Sequence, residues 1–350
     1  MTERSRSIEV SLLVLSVIAT GVCMYVLRDL LIPMAFAAFL AVLFRPLTDI
    51  VRKLHAPTWI ALILVIAISA GALWGIIAIV GVGVDSATVK APIYAEKAQR
   101  LFDSAQRYVA EIPGSHEMMK PIEDAVTPQA LIQIVTSSLG SVISTLGDGV
   151  LMLLYLVFII LGSGVFPQKL DAAVAASRSD YLAHIYETVN DKVLRYLRIK
   201  TLFNLLTALV TYGVLTAFEV DFAPVIALLA FFFTYLPNIG SFITVVLTGL
   251  VSLVQFEDPG YALLIVSILV VLSNIIGNVL EPRAMGTSLD LSPLVVLVSM
   301  IFWGWMWGII RMILSVPMMA VVKVIMEQFP TTQPLAILMG STAPVSDDKE

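Results

Sequence analysis

Apolar residues run along this 350-residue chain in blocks too long and too uniform for the one-sided stripe of a soluble helix. Charge-free runs cover residues 8–27 (Glu9 apart), 59–84, 149–167 and 261–280. Each approaches or exceeds the roughly 18–20 residues that carry a helix across about 30 Å of hydrocarbon. A further apolar helix is expected at 30–44, close behind the first. Two blocks break the pattern. Residues 85–147 are charged, amphipathic and punctuated by Pro92, Pro113, Pro121 and Pro128, whereas residues 167–200 are basic.

From 201 to 327 the pattern repeats itself. An ordinary span (201–218) precedes a 32-residue apolar stretch (223–254), and another span (260–280) precedes a 35-residue stretch (292–326). A straight helix of the first length would measure about 48 Å, well beyond the hydrocarbon. Each long stretch is interrupted near its middle, by "TYLPNIG" around Pro237, Asn238 and Gly240 and by "WGWMWG" ending at Gly308. Two half-helices meeting in a turn, a re-entrant hairpin, fit better. "VDFAPVIALLA" at 220–230 also aligns with "LDLSPLVVLVS" at 289–299, pairing Asp221 with Asp290 and Pro224 with Pro293 at a 69-residue offset. Gly240 and Gly308 follow those aspartates by 19 and 18 residues. Asp-x-x-Pro is a helix-start signal, so both acids are expected to cap the hairpins; a proton-coupling role is the rival reading.

Composition agrees with a membrane protein: 59% hydrophobic, 13% charged, mean hydropathy +0.94. The fold class expected is an all-α polytopic membrane protein of about six full transmembrane helices plus two re-entrant helical hairpins forming an inverted repeat, with an amphipathic extracytoplasmic insert. Its segments are 1–84 (helices 1–3), 85–147 (the insert), 148–166 (helix 4), 167–200 (basic, cytoplasmic), 201–327 (the repeat) and 328–350 (a flexible cytoplasmic tail). The bland reading of the insert is a linker resting on the membrane surface; the sharper one is an oligomer-forming or gating element. Positive charge in short loops puts Arg4/Arg6, Arg45/Arg52/Lys53, Lys169–Lys200 and Arg283 on one side, the cytoplasmic one, with the N-terminus. The first hairpin then enters from outside and the second from the cytoplasm, an arrangement recurrent in secondary transporters.

Net charge −5 gives no basic footprint for nucleic acid. A single cysteine, Cys23, excludes an internal disulfide and a cysteine metal cluster. No phosphate-binding loop occurs, and His55, His116 and His184 lie far apart outside the apolar runs. "GTSL" at 286–289 has no histidine partner in the apolar runs. No enzyme, cofactor or metal site is expected.

"YLPNIGSFI", "NVLEPRAMGTSLDLSPLVVLVSMIFWGWMWG" and "LSVPMMA", with the "YLRIKT" that opens the 201–218 span, resemble the autoinducer-2 exporter family of bacterial permeases, the PerM-like transporters. The resemblance covers most of the chain and is densest from about 196 to 320. It implies a bacterial inner-membrane transporter with an elevator-like cycle and hairpins in the moving part. It also implies homo-oligomers, a pentamer among the arrangements, and a cargo that is a small polar solute, autoinducer-2 in some members. Sodium (or lithium)/proton antiport is the alternative, then a channel or a scaffold that transports nothing. Two positions depart from the family pattern: Arg311 where members commonly carry glycine, and "ILGSGVF", which lacks an acid often seen there. A cation at 311 favours an anionic or polar solute.

Polar residues inside apolar runs are the remaining site candidates, since they are costly unless they face protein or water. Asn274, Asn278 and Glu281 fall at i, i+4 and i+7 on one helical face. They either line a pathway or hydrogen-bond neighbouring helices, and Glu281 with Arg283 has a third reading as a solvated helix end. Arg311, one turn beyond Gly308, either pairs with a carboxylate, hairpin carbonyls or an anion, or snorkels outward. Pro237, Asn238 and Gly240 free backbone groups at the first tip. Trp303, Trp305 and Trp307 either stack on a ring-shaped solute or pack.

Overall fold

The computed structural model describes residues 3–55, 57–110, 149–162, 169, 194–237, 239–285, 291–308, 310–329 and 331–341. Among these the regular structure is helical: α1 (Glu3–Val26), α2 (Arg28–Leu43), α3 (Arg45–Lys53), α4 (Thr58–Ala110), α5 (Gly149–Gly162), α6 (Leu194–Ala217), α7 (Ala223–Phe233), α8 (Ile239–Phe256), α9 (Pro259–Asn274), α10 (Glu281–Met285), α11 (Pro293–Trp307), α12 (Ser315–Glu327) and α13 (Gln333–Leu338). A π-helical turn, Ile275–Leu280, joins α9 to α10, and a 3₁₀ turn, Ile310–Leu314, precedes α12. Four helical segments are long and apolar enough to cross a membrane: Trp59–Leu101, Leu194–Ala217, Ile239–Phe256 and Pro259–Met285. A fifth span arises if the pair Ile18–Val26 and Arg28–Leu43, bent by 85°, counts as one. Of the expected helix 4, residues 149–162 are described.

The sequence divides at residue 84, but α4 runs on to Ala110 with Pro92 inside it. What sustains it is tertiary contact: Lys90, Tyr94 and Lys97, at i, i+4 and i+7, share one face and each finds a partner across residues 219–257. The remainder of the expected insert, 111–147, lies outside the described residues.

The chain forms two compact units. One comprises Met1–Ile66, Asp148–Leu194 and Leu289–Glu350. Here α2 packs on α5 around Ala37, Val65, Leu156 and Ile160. The second broken stretch folds back in this unit: α11 ends at Gly308, whose φ of 94° lies where an L side chain is strained, and the chain returns through the 3₁₀ turn into α12. Ser299 donates to the Ser315 carbonyl across the two arms at 3.0 Å. Ser292 caps α11 by accepting from the Val295 N–H.

The other unit comprises Ala67–Gly147 and Arg195–Ser288. It holds the first broken stretch as α7 and α8, antiparallel about a turn at 234–237. Gly240 lies against the end of α7 so closely that a Cβ there would sit 1.8 Å from the Phe233 carbonyl oxygen. At the other end Gln255 clasps the two arms: its amide oxygen accepts from the Asp221 N–H and its nitrogen donates to the Glu219 carbonyl, both at 2.7 Å. The arms are unequal. By length α7 spans about 16 Å and α8 about 27 Å, so α8 alone is long enough to span. Asp258 caps α9 by accepting from the Gly260 and Tyr261 N–H groups.

Candidate functional site

The most unusual chemistry in the Ala67–Gly147/Arg195–Ser288 unit is a buried ion pair. On α6 the buried positions Tyr196, Lys200, Asn204, Thr207 and Thr211 recur every three to four residues, so one polar stripe of an otherwise apolar helix faces inward. The Lys200 ammonium meets Glu281 Oε1 at 2.6 Å, with side chains only 8% and 11% exposed. Lys200 stands near the start of one candidate span and Glu281 near the end of another. In so poor a solvent each charge is tolerable because the other is there.

The tip of the first hairpin docks beside this pair. Tyr235 shares a 2.7 Å hydroxyl–hydroxyl hydrogen bond with Thr201. Asn204, fully buried, satisfies both ends of its amide when its nitrogen donates to the Lys200 carbonyl (3.2 Å) and its oxygen accepts from the Tyr235 N–H (3.3 Å). The tip is therefore fastened to the same helix turn that presents Lys200. Its own backbone is largely satisfied. The Leu236 carbonyl accepts from the Gly240 N–H and the Pro237 carbonyl from the Ile239 N–H. Of the groups expected to be free at this tip, the Pro237 carbonyl and the Gly240 N–H each have a partner within the turn. Pro237 is half-buried and Gly240 buried; Asn238 lies outside the described residues.

Asn274, Asn278 and Glu281 do not share a face. The Asn278 amide donates to Asn274 Oδ1 at 2.7 Å and Asn274 to the Val270 carbonyl, and both side chains are exposed, while Glu281 is buried. The π turn between them explains the split. Its i→i+5 ladder takes up one extra residue, which rotates everything beyond it by about 100° relative to an α-helix. Glu281 is likewise no solvated helix end.

Asp221 differs too. The N-terminal position of α7 is Phe222, in the left-handed region at φ 60° with no side-chain cap. The Asp221 carboxylate instead accepts from Lys90 and, at 2.9 Å, from the Tyr94 hydroxyl. The proline half of the signal holds, with Pro224 and Pro293 in the first turns of α7 and α11. Asp290 lies outside the described residues.

In the second hairpin, Gly308 ends α11 with its N–H on the Gly304 carbonyl. Arg311 falls in the 3₁₀ turn, and its side chain lies outside the described residues. Trp303 and Trp307, ring centroids 4.5 Å apart, are buried against Ile32 of α2 as packing residues, whereas Trp305 is exposed. Buried Lys323, 3.6 Å from Glu327, is a second lysine that sequence reasoning passed over.

Residues 14–331 match the model of the AI-2E family transporters. The chain belongs to the AI-2E transporter family. This AI-2E transporter is 30% identical over 312 residues to the AI-2 transport protein TqsA of Escherichia coli (strain K12), covering 89% of this chain and 90% of TqsA. It is 27% identical over 334 residues to the putative transport protein YhhT of the same organism, covering 95% and 93%. With the putative transport protein YueF of Bacillus subtilis (strain 168) it shares 26% identity over 321 residues, 85% and 83% of the two chains. The family is one of transporters, and with its apolar helices the protein is a multi-pass membrane protein. In this AI-2E transporter, Lys200, Thr201, Asn204 and Tyr235 are the residues sequence reasoning missed. The detectable signal was the polar spacing 200, 204, 207, 211 along an apolar helix.

Proposed function

We propose that this protein is a secondary transporter that moves a small polar solute across the bacterial inner membrane, with the Lys200–Glu281 pair and the Tyr235 tip of the first hairpin on its route. The observation that carries the reading is that buried, 2.6 Å ion pair fastened beside a broken helix. Intramembrane charges are expensive and concentrate on solute and ion routes, and broken helices supply polar groups at depth. The name of TqsA makes autoinducer-2 the first solute to try. An elevator-like movement of the hairpins, their inverted-repeat relation, a cytoplasmic N-terminus and a homo-oligomer belong to the same proposal. Gly308 and Arg311 are the second hairpin's contribution to it. The test is flux into proteoliposomes for the parent protein and for Glu281→Gln. Saturable flux that falls at least about tenfold in the variant supports the reading; equal flux in both removes the pair from the route.

A further inference from the structure

The charged half of α4 makes a set of contacts that the route does not use, all on one end of the first hairpin. Lys90 and Tyr94 both bond the Asp221 carboxylate. Lys97 donates to the Gln255 carbonyl and lies 3.7 Å from Glu257. Arg100 makes a two-pronged contact with Glu257, Nε to Oε2 at 3.2 Å and Nη2 to Oε1 at 3.0 Å, while Glu96 holds its remaining prong at 2.9 Å. Nearer the middle of α4, a Cβ at Gly83 would meet Val225 Cγ2 at 2.3 Å, so α4 and α7 run in close contact there.

Two features bear on what these contacts do. The hairpin end is closed on itself by the Gln255 clasp, so its arms stay joined if α4 lets go. The backbone there is also strained. Among the described residues, three of the four non-glycine residues with positive φ, Glu219, Phe222 and Glu257, lie at this end. Strain of that kind persists only where surrounding contacts hold it and clusters at elements that switch. The fastening is partly exposed, Lys90 by 40% and Arg100 by 52% against 21% for Asp221 and 33% for Glu257; ion pairs that reach water are weak and screened by salt.

We propose that the 90–100 face of α4 is an electrostatic latch that holds the first hairpin at rest, and that its release is a step of the transport cycle. The second half of this statement rests on the transport reading above. The test places one reporter cysteine, Ala223→Cys, in the buried first turn of α7 in a Cys23→Ser background, and follows its reaction with a water-soluble maleimide in proteoliposomes. Labelling of this parent should be slow and should quicken with salt. In Arg100→Glu it should be about tenfold faster and should no longer quicken with salt as the parent does, because salt screens the new repulsion from Glu96 and Glu257 as well as the remaining lysine pairs. The swap that also reverses the flanking charges, Glu96→Lys/Lys97→Glu/Arg100→Glu/Glu257→Arg, should return it toward the parent, which loss of folding would not do. Labelling unmoved by Arg100→Glu, or not restored by the swap, overturns the latch. Altered labelling with solute flux unchanged in every variant overturns its release as a step of the cycle. A parent with no flux for any solute removes the transport reading and the cycle step with it, while the labelling arm still decides whether the latch exists.

Discussion

At the scale of single residues, the energetic weight lies on a few buried, tightly held positions. Removing one member of a buried ion pair leaves a charge in a poor solvent, at a cost of about 3–5 kcal/mol, whereas replacing both with apolar residues of similar size is close to neutral. Lys200→Met should therefore lower the melting temperature in detergent markedly, and Lys200→Met/Glu281→Leu should recover most of it while flux stays lost. If the double variant transports normally, the pair is structural. Gly240 is as constrained for a different reason: a Cβ 1.8 Å from the Phe233 oxygen must move the backbone. Gly240→Ala should cost about 1–3 kcal/mol by overpacking. Thermal unfolding indistinguishable from the parent would mean the hairpin turn gives way more easily than its geometry implies.

At the scale of elements, hydrophobic pattern and punctuation revealed that both long apolar stretches are broken, because Pro237 and Gly308 interrupt runs that are otherwise largely apolar. Their inner chemistry was hidden by distance along the chain. Asp221 reads as a cap because Pro224 follows it, yet its partners Lys90 and Tyr94 lie more than a hundred residues earlier. Residues from 85 onward read as a separate charged block, and the contacts of Lys90, Tyr94 and Lys97 show what α4 packs against as it continues. Lys200 reads as the last residue of a basic loop, and Glu281 as a helix terminus, until the π turn brings the carboxylate round to the ammonium. The latch carries its own pH dependence. The two-pronged hydrogen bond from Arg100, aided by its charge and that of Lys97, holds the Glu257 carboxyl below the usual carboxylate range. A depressed folded-state value means that the stabilisation is complete above the ordinary carboxylate pKa and is lost as pH falls through the lower one. Amide exchange over residues 96–104, corrected for its intrinsic pH dependence, should show protection at neutral pH that fades in acid. Glu257→Gln should flatten that profile, and a profile unchanged by the substitution would assign the protection to other groups.

At the scale of the whole molecule, membership of the AI-2E transporters and the apolar spans establish a multi-pass membrane transporter, and the buried pair beside a fastened hairpin tip is the feature on which the proposed mechanism stands. A scaffold would pass no solute, and a channel would pass solute without saturating. The most direct test is initial-rate flux of autoinducer-2 and other small polar solutes into proteoliposomes, with and without imposed proton or sodium gradients. The account predicts flux that saturates with solute, responds to a gradient and collapses in Glu281→Gln. Rapid unsaturable flux, or none for any solute under any gradient, would contradict it.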